Sequence, residues 1–193
     1  MKKTASIAIA AMMAATLAGC ASPEPDQPVA DSQNASEQNQ AEVASSAAKP
    51  SPEQASVGDR IELSTKYGDI AVTVDGFVFN AKMAADFAEY GQIQDGKTVG
   101  LLQLTVENVS FSMNDNGDIP LSDFVYAEDA SGISMTVMDS AFNNGEEYRP
   151  IAGGYCTCPQ GKTMRVAIPY VADPAMTEVT AVAGDYEVKA PVA

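Results

Sequence analysis

From Val57 to Ala193 the large apolar residues recur at every second position in short runs, and that period decides the fold class. Ile61 and Leu63 alternate with Glu62 and Ser64, and Ile70, Val72 and Val74 alternate with Ala71, Thr73 and Asp75. Leu102, Leu104 and Val106 alternate with Gln103, Thr105 and Glu107, while Met164, Val166 and Ile168 alternate with Arg165 and Ala167. Val179 and Ala181, then Tyr186 and Val188, supply a last segment. Neighbours on a strand point to opposite faces, so each run offers one face to a core and one to water. Such runs, separated by turn residues, predict an all-β, antiparallel β-sandwich over residues 57–193. After Gly76 the large residues move to Phe77 and Phe79, a change of phase that predicts a bulge or bend. Met83, Phe87 and Tyr90 stand at near-helical spacing and predict one short helix over Ala81 to Tyr90.

The residues before this domain read differently. Lys2 and Lys3 precede an uncharged run from Thr4 to Leu17 that ends in Ala18, Gly19 and Cys20. That is the order of a secretory signal, too short to span a bilayer. Leu17 to Cys20 resembles the lipobox of bacterial lipoproteins, which implies cleavage after residue 19 and a thioether-linked diacylglycerol on Cys20. Several acyl chains at ~0.8 kcal/mol per buried methylene make such an anchor stable. From Ala21 to Ser56 the chain carries no aromatic, Leu, Ile or Met and five prolines, so residues 20–56 are expected to be a lipidated Cys and a disordered linker. As a coil it would span ~33 Å root-mean-square, with an extended limit of ~120 Å. The expected location is the cell membrane, lipid-anchored and facing the extracytoplasmic side.

Charge and composition exclude several functions. The chain holds 26 acidic and 11 basic residues and a formal charge of −15. Loss of residues 1–19 removes two lysines and no acid, leaving 9 basic against 26 acidic side chains, or −17. Nucleic acid is not an expected partner, because phosphate neutralisation needs clustered Lys and Arg. With no histidine, the chain cannot build a Ser/His/Asp or Cys/His pair or a histidine metal site.

The order Val57-Gly58-Asp59, Gly68-Asp69-Ile70 to Gly76, Leu104 to Val109, Pro120 to Tyr126 and Pro159 to Pro169 resembles the telokin-like, immunoglobulin-fold domain of unknown function found in bacterial lipoproteins. Asn108, Leu121, Ser122, Asp123, Phe124, Gly161, Lys162 and Pro169 match its pattern; Gln160 and the Cys156-Thr157-Cys158 segment depart from it. The resemblance implies an extracytoplasmic immunoglobulin-like module and brings no catalytic residues.

Candidate chemistry is sparse, and no cofactor is expected. Ser112, Asn114, Asn116, Gly117 and Asp123 fall on a calcium-loop spacing, yet the spacing lacks the initial Asp and the final Glu, so Asn114, Asn116 and Asp123 make only a weak calcium site beside the alternative of a solvated turn. Glu128–Asp129 and Glu146–Glu147 are adjacent acids, which a strand would send to opposite faces. Met135 and Met138 read as core filling, and Tyr126, Tyr170 and Tyr186 as boundary residues with their hydroxyls in water. Cys156 and Cys158 are expected to form a disulfide in an exported protein. On an extended strand their Cα atoms would stand ~6.7 Å apart, near the upper limit for the bond, so the segment must curl.

Two functional classes remain. One is a non-enzymatic, membrane-anchored module binding an envelope or extracellular protein or polymer, with the bilayer contacted through Cys20. The other is a thiol-disulfide redox protein or sensor using Cys156 and Cys158.

Overall fold

A computed structural model describes residues 51–114, 116–141 and 147–193. The signal-like segment, Cys20 and the linker up to residue 50 lie outside the described residues, as does Glu146. The strands are β1 (Glu53–Ala55), β2 (Arg60–Thr65), β3 (Gly68–Phe79), β4 (Thr98–Asn108), β5 (Asp118–Pro120) and β6 (Val125–Glu128). They continue with β7 (Arg149–Pro150), β8 (Tyr155–Thr157), β9 (Thr163–Ala172), β10 (Glu178–Ala183) and β11 (Tyr186–Pro191). One helix, α1 (Ala81–Glu89), follows β3. Five strands pair in the order β2-β3-β4-β9-β7 and four in the order β1-β11-β10-β6, while β5 and β8 form a small ribbon.

The two larger sheets make a β-sandwich, and residue size sorts between them. The five-stranded sheet supplies Ile70, Val72, Phe77, Leu102, Leu104 and Ile168, all fully buried. The four-stranded sheet answers with Val125, Ala127, Val179, Ala181, Val188 and Ala190. Large residues opposite small ones fill the space between the sheets. Each buried Leu, Ile or Phe contributes ~1.5–3 kcal/mol relative to exposure.

The bulge falls where the phase changes: Val74 pairs with Leu104 and Gly76 with Gln103, which leaves Asp75 unpaired in the ladder. Thr105 Oγ1 donates to Asp75 Oδ2 at 2.7 Å and holds the extra residue. Phe77 thereby returns to the core while Val78 points to the opposite face. There α1 covers the sheet, with Met83 and Phe87 packed against Val99, Leu101 and Ala167. Asn80 caps the helix by accepting the Met83 N–H at 2.9 Å. Tyr90 ends it and is exposed, so only two of the three helical anchors are buried. Cover on both faces explains the unbroken apolar run Val99 to Leu102 in β4.

Four expectations need correction. Ordered pairing begins before Val57, because β1 adds parallel to β11 through Glu53↔Tyr186, Gln54↔Glu187 and Ala55↔Val188. A Pro- and Gln-rich stretch can still form strand at a sheet edge, where the partner supplies the register. The sheets are also not wholly antiparallel, since β7 pairs parallel with β9 as well. Tyr170 is fully buried, its hydroxyl away from water, because β9 runs past Pro169. Proline is tolerated there because its nitrogen faces away from β4, toward the segment whose Met138 N–H donates to the Pro169 carbonyl at 2.9 Å.

The fourth concerns the cysteines, which are both free and both buried. β8 stays extended and pairs with β5 through Ile119↔Cys156, so it does not curl as a bridge requires. The bend falls earlier, at Gly153 and Gly154, whose φ angles are 57° and 74°.

Candidate functional site

At one end of the sandwich an open groove of about 740 Å³ lies between three loops. The first is the β2–β3 hairpin with Lys66 and Tyr67 at its tip; the second is the 3-10 turn Leu121–Asp123 with Phe124; the third is the β10–β11 turn, Gly184 and Asp185. Met113 and Tyr186 complete the apolar lining.

Backbone hydrogen bonds pin these loops. Ser112 N–H donates to the Tyr67 carbonyl at 2.8 Å, and Gly184 N–H donates to the Phe124 carbonyl at 3.1 Å. The hairpin tip is closed by Thr65 Oγ1, which donates to the Gly68 carbonyl at 2.7 Å and accepts the Tyr67 N–H at 3.1 Å. Gly68 is required there: its φ is 112°, and an added Cβ would meet the Ser110 carbonyl oxygen at 2.5 Å. The groove therefore exists before any ligand arrives.

Its apolar wall is a file of edge-on rings. Tyr67 meets Phe111 at 5.8 Å between centroids, and Phe111 meets Phe124 at 6.1 Å, which runs the file from the surface into the core. Tyr67 and Met113 each leave 38% of their surface exposed, which puts two large apolar side chains at one spot on the groove. Around them stand Glu62, Asp123 and Asp185 against Lys66, whose ammonium lies 4.8 Å from the Tyr67 ring centre. Glu53 beside Tyr186 holds that hydroxyl above its ordinary range, with Asp185 adding to the effect. The arrangement offers aromatic faces, a free thioether and negative charge, which suits binding.

Among the described residues, Asp123 is the one sequence-predicted site residue that lines this groove. Asn114 Oδ1 is committed to the turn, accepting the N–H groups of Asn116 and Asp118 at 3.1 Å each. Asp118 in turn accepts from Thr157 Oγ1 at 2.7 Å, so the Asn-rich loop secures the β5–β8 ribbon. Asp129 Oδ1 likewise accepts the Ser131 and Ile133 N–H groups within a turn. Met135 and Met138 fill opposite cores.

The thiols sit in apolar surroundings. Burial pushes Cys156 up to about 12, with Cys158 and Asp118 adding to the shift. Burial also raises Cys158, whose Sγ lies 3.2 Å from the Lys162 carbonyl oxygen. Neither is a ready thiolate at neutral pH. Asn108, fully buried, ties the same region together by donating to the Phe111 carbonyl at 3.1 Å and the Cys158 carbonyl at 2.7 Å.

Sequence reasoning missed Tyr67, Met113 and Phe124 as groove residues. The available signal was the placing of large apolar side chains at turn positions, such as Tyr67 between Lys66 and Gly68, where neither sheet face needs one.

The sequence matches no family model and no curated protein. Among solved structures it is similar to MPT63, a secreted protein from Mycobacterium tuberculosis, at 17% identity and a TM-score of 0.46, over 72% of this chain and 97% of that one.

Proposed function

We propose that this protein is an envelope lipoprotein, anchored through acylated Cys20, whose immunoglobulin-like domain binds a partner in the groove between the β2–β3 hairpin, Phe124 and the β10–β11 turn. The observation that carries the binding role is the exposed Tyr67 and Met113 on loops held by backbone hydrogen bonds. A surface that keeps large apolar groups wet in the free state recovers that cost when covered. The telokin-like resemblance supports an extracytoplasmic setting, and no catalytic step is part of the reading.

The thiol-disulfide alternative has less support, since both sulfurs are buried and both acidities are suppressed. Two measurements test the proposal. Metabolic labelling with palmitate should mark the wild type and not Cys20→Ser; equal labelling refutes the anchor. Hydrogen exchange with envelope extract should slow around Tyr67, Phe124 and Asp185, and protection elsewhere alone refutes the groove as binding site.

A further inference from the structure

The two sheets end in four edge strands, and they are unequal. β1 has three residues and β7 two, too short to template another strand. β6 has four, but Ser134 bridges to Glu128 and Met135 N–H donates to the Ala127 carbonyl, so a following segment already covers it. β2 has six residues and, among the described residues, pairs only with β3.

The ladder phase shows which groups β2 leaves open. Thr65↔Gly68 closes a two-residue hairpin and is a hydrogen-bonded pair. Counting back in twos, Leu63 and Ile61 also bond to β3, and the alternation turns the N–H and C=O of Glu62 and Ser64 outward. The contact from Gly58 N–H to the Val74 carbonyl at 2.9 Å agrees with this phase. Among the described residues those outward groups meet no protein partner.

The open edge runs along the groove. Glu62, Leu63, Ser64 and Thr65 line it, and a second hollow of about 510 Å³ continues past Arg60 toward Gln54 and Tyr186. An extended chain added to β2 would thus have hydrogen-bond partners on one side and, for alternate side chains, the apolar groove and then a more polar hollow lined by Asp59, Arg60 and Glu62 on the other. Charge selects its type. Glu62, Asp123 and Asp185 face this path; Arg60 is engaged by Glu62 and Glu107, leaving Lys66 at the tip as the opposing cation. A second copy from residue 20 onward, with 9 basic against 26 acidic side chains, or the acidic linker of this chain would be repelled.

We infer that β2 accepts an extended segment of a cationic polypeptide as an added antiparallel or parallel strand, its basic side chains beside Glu62, Asp123 and Asp185. This rests on the groove being the binding site and names its occupant. Strand addition is also a recurring hazard of open edges, so the polar Arg60, Glu62 and Ser64 on β2 restrict the site to complementary partners.

The test uses the chain from residue 20 onward with Cys20→Ser, and two synthetic ten-residue peptides, one alternating valine with lysine and one valine with glutamate. The lysine peptide should slow amide exchange at Glu62 and Ser64 by ~10-fold or more at saturation and leave Leu63 unchanged, as an edge hydrogen bond requires. Ser64→Pro removes an outward donor without breaking a bond to β3, and should weaken binding ~10-fold. Glu62→Gln with Asp185→Asn should weaken binding at low salt while the exchange pattern persists. Absence of binding by the lysine peptide, or equal binding by the glutamate peptide, overturns the inference. Binding that shifts Tyr67 and Phe124 without protecting Glu62 and Ser64 overturns strand addition but leaves the groove reading intact. If envelope extract also fails to protect the groove, the functional reading falls with it.

Discussion

Gly100 in the central strand is the position where one added methyl group should test the packing most directly. It pairs with Phe79 on one side and Tyr170 on the other. The fully buried Phe77 ring lies over it: an added Cβ would stand 2.5 Å from Phe77 Cε1, closer still to Cζ, and 3.2 Å from Ala172 Cβ. Carbon atoms pack at ~3.5–4.0 Å, so the ring must move by about 1 Å or more in a filled core. Overpacking of this kind costs ~1–3 kcal/mol. Losing the glycine from a strand interior returns ~0.5–1 kcal/mol. Gly100→Ala should therefore destabilise by a net ~1–2 kcal/mol, lowering the melting temperature by roughly 3–8 °C for a domain of this size. Phe77→Leu removes Cε1 and Cζ, the atoms in the way, at its own cost of about 1–2 kcal/mol. In the double variant the Gly100→Ala penalty should vanish, giving a favourable coupling of ~1–2 kcal/mol in urea-denaturation cycles. A penalty for Gly100→Ala that is the same in both backgrounds, or below ~0.5 kcal/mol in the wild type, would refute the argument.

Three further outcomes are expected. Asn80→Ala removes the side-chain acceptor for Met83 N–H and should cost ~1 kcal/mol in chemical denaturation, with Asn80→Asp close to neutral. Cys156 is protonated more tightly in the folded state, up to about 12 against an ordinary 9, so the unfolded chain releases its proton first. The stability this represents is complete below about pH 9 and is lost as the pH rises toward 12; Cys156→Ala should flatten that alkaline decline in pH-resolved melts, and an unchanged slope would show that another group causes it. Removing residues 51–56 in addition to 21–50 deletes β1 and should lower the melting temperature by a few degrees, roughly 1 kcal/mol, relative to removing 21–50 alone.

Much of the domain was legible because its signals are local. The jump of large residues from Val74 to Phe77 reported the bulge at Asp75, since period two cannot absorb an odd step without one. Met83 and Phe87 reported the helix, since residues four apart share a helix face. The misreadings arose where a tertiary partner overrode composition. Glu53–Ala55 has no strand pattern of its own and takes its register from β11. Tyr170 was read as a boundary residue, whereas the effect of Pro169 before it depends on which neighbour the proline nitrogen faces, and that is set by the path of residues 136–138. The i, i+2 spacing of Cys156 and Cys158 correctly placed both on one face, but spacing alone did not show that β5 would hold β8 extended and keep the sulfurs apart.

The groove was less legible because no short segment contains it. Its parts come from residues 62–67, Met113, Pro120, Asp123, Phe124 and residues 184–186, and they meet through the contacts Ser112 to Tyr67 and Gly184 to Phe124. Gly184 shows how closely this end depends on the fold: its φ is 59°, and an added Cβ would meet Leu63 Cδ2 at 2.7 Å. The β10–β11 turn of one sheet thus rests on the edge strand of the other, and this contact brings the open edge of β2 to the groove. A sheet edge without that neighbour would offer hydrogen bonds and no selectivity; a groove without the edge would offer apolar area and no register. Their junction at Leu63, inside a strongly acidic domain, is what favours an extended, basic partner over a small apolar ligand.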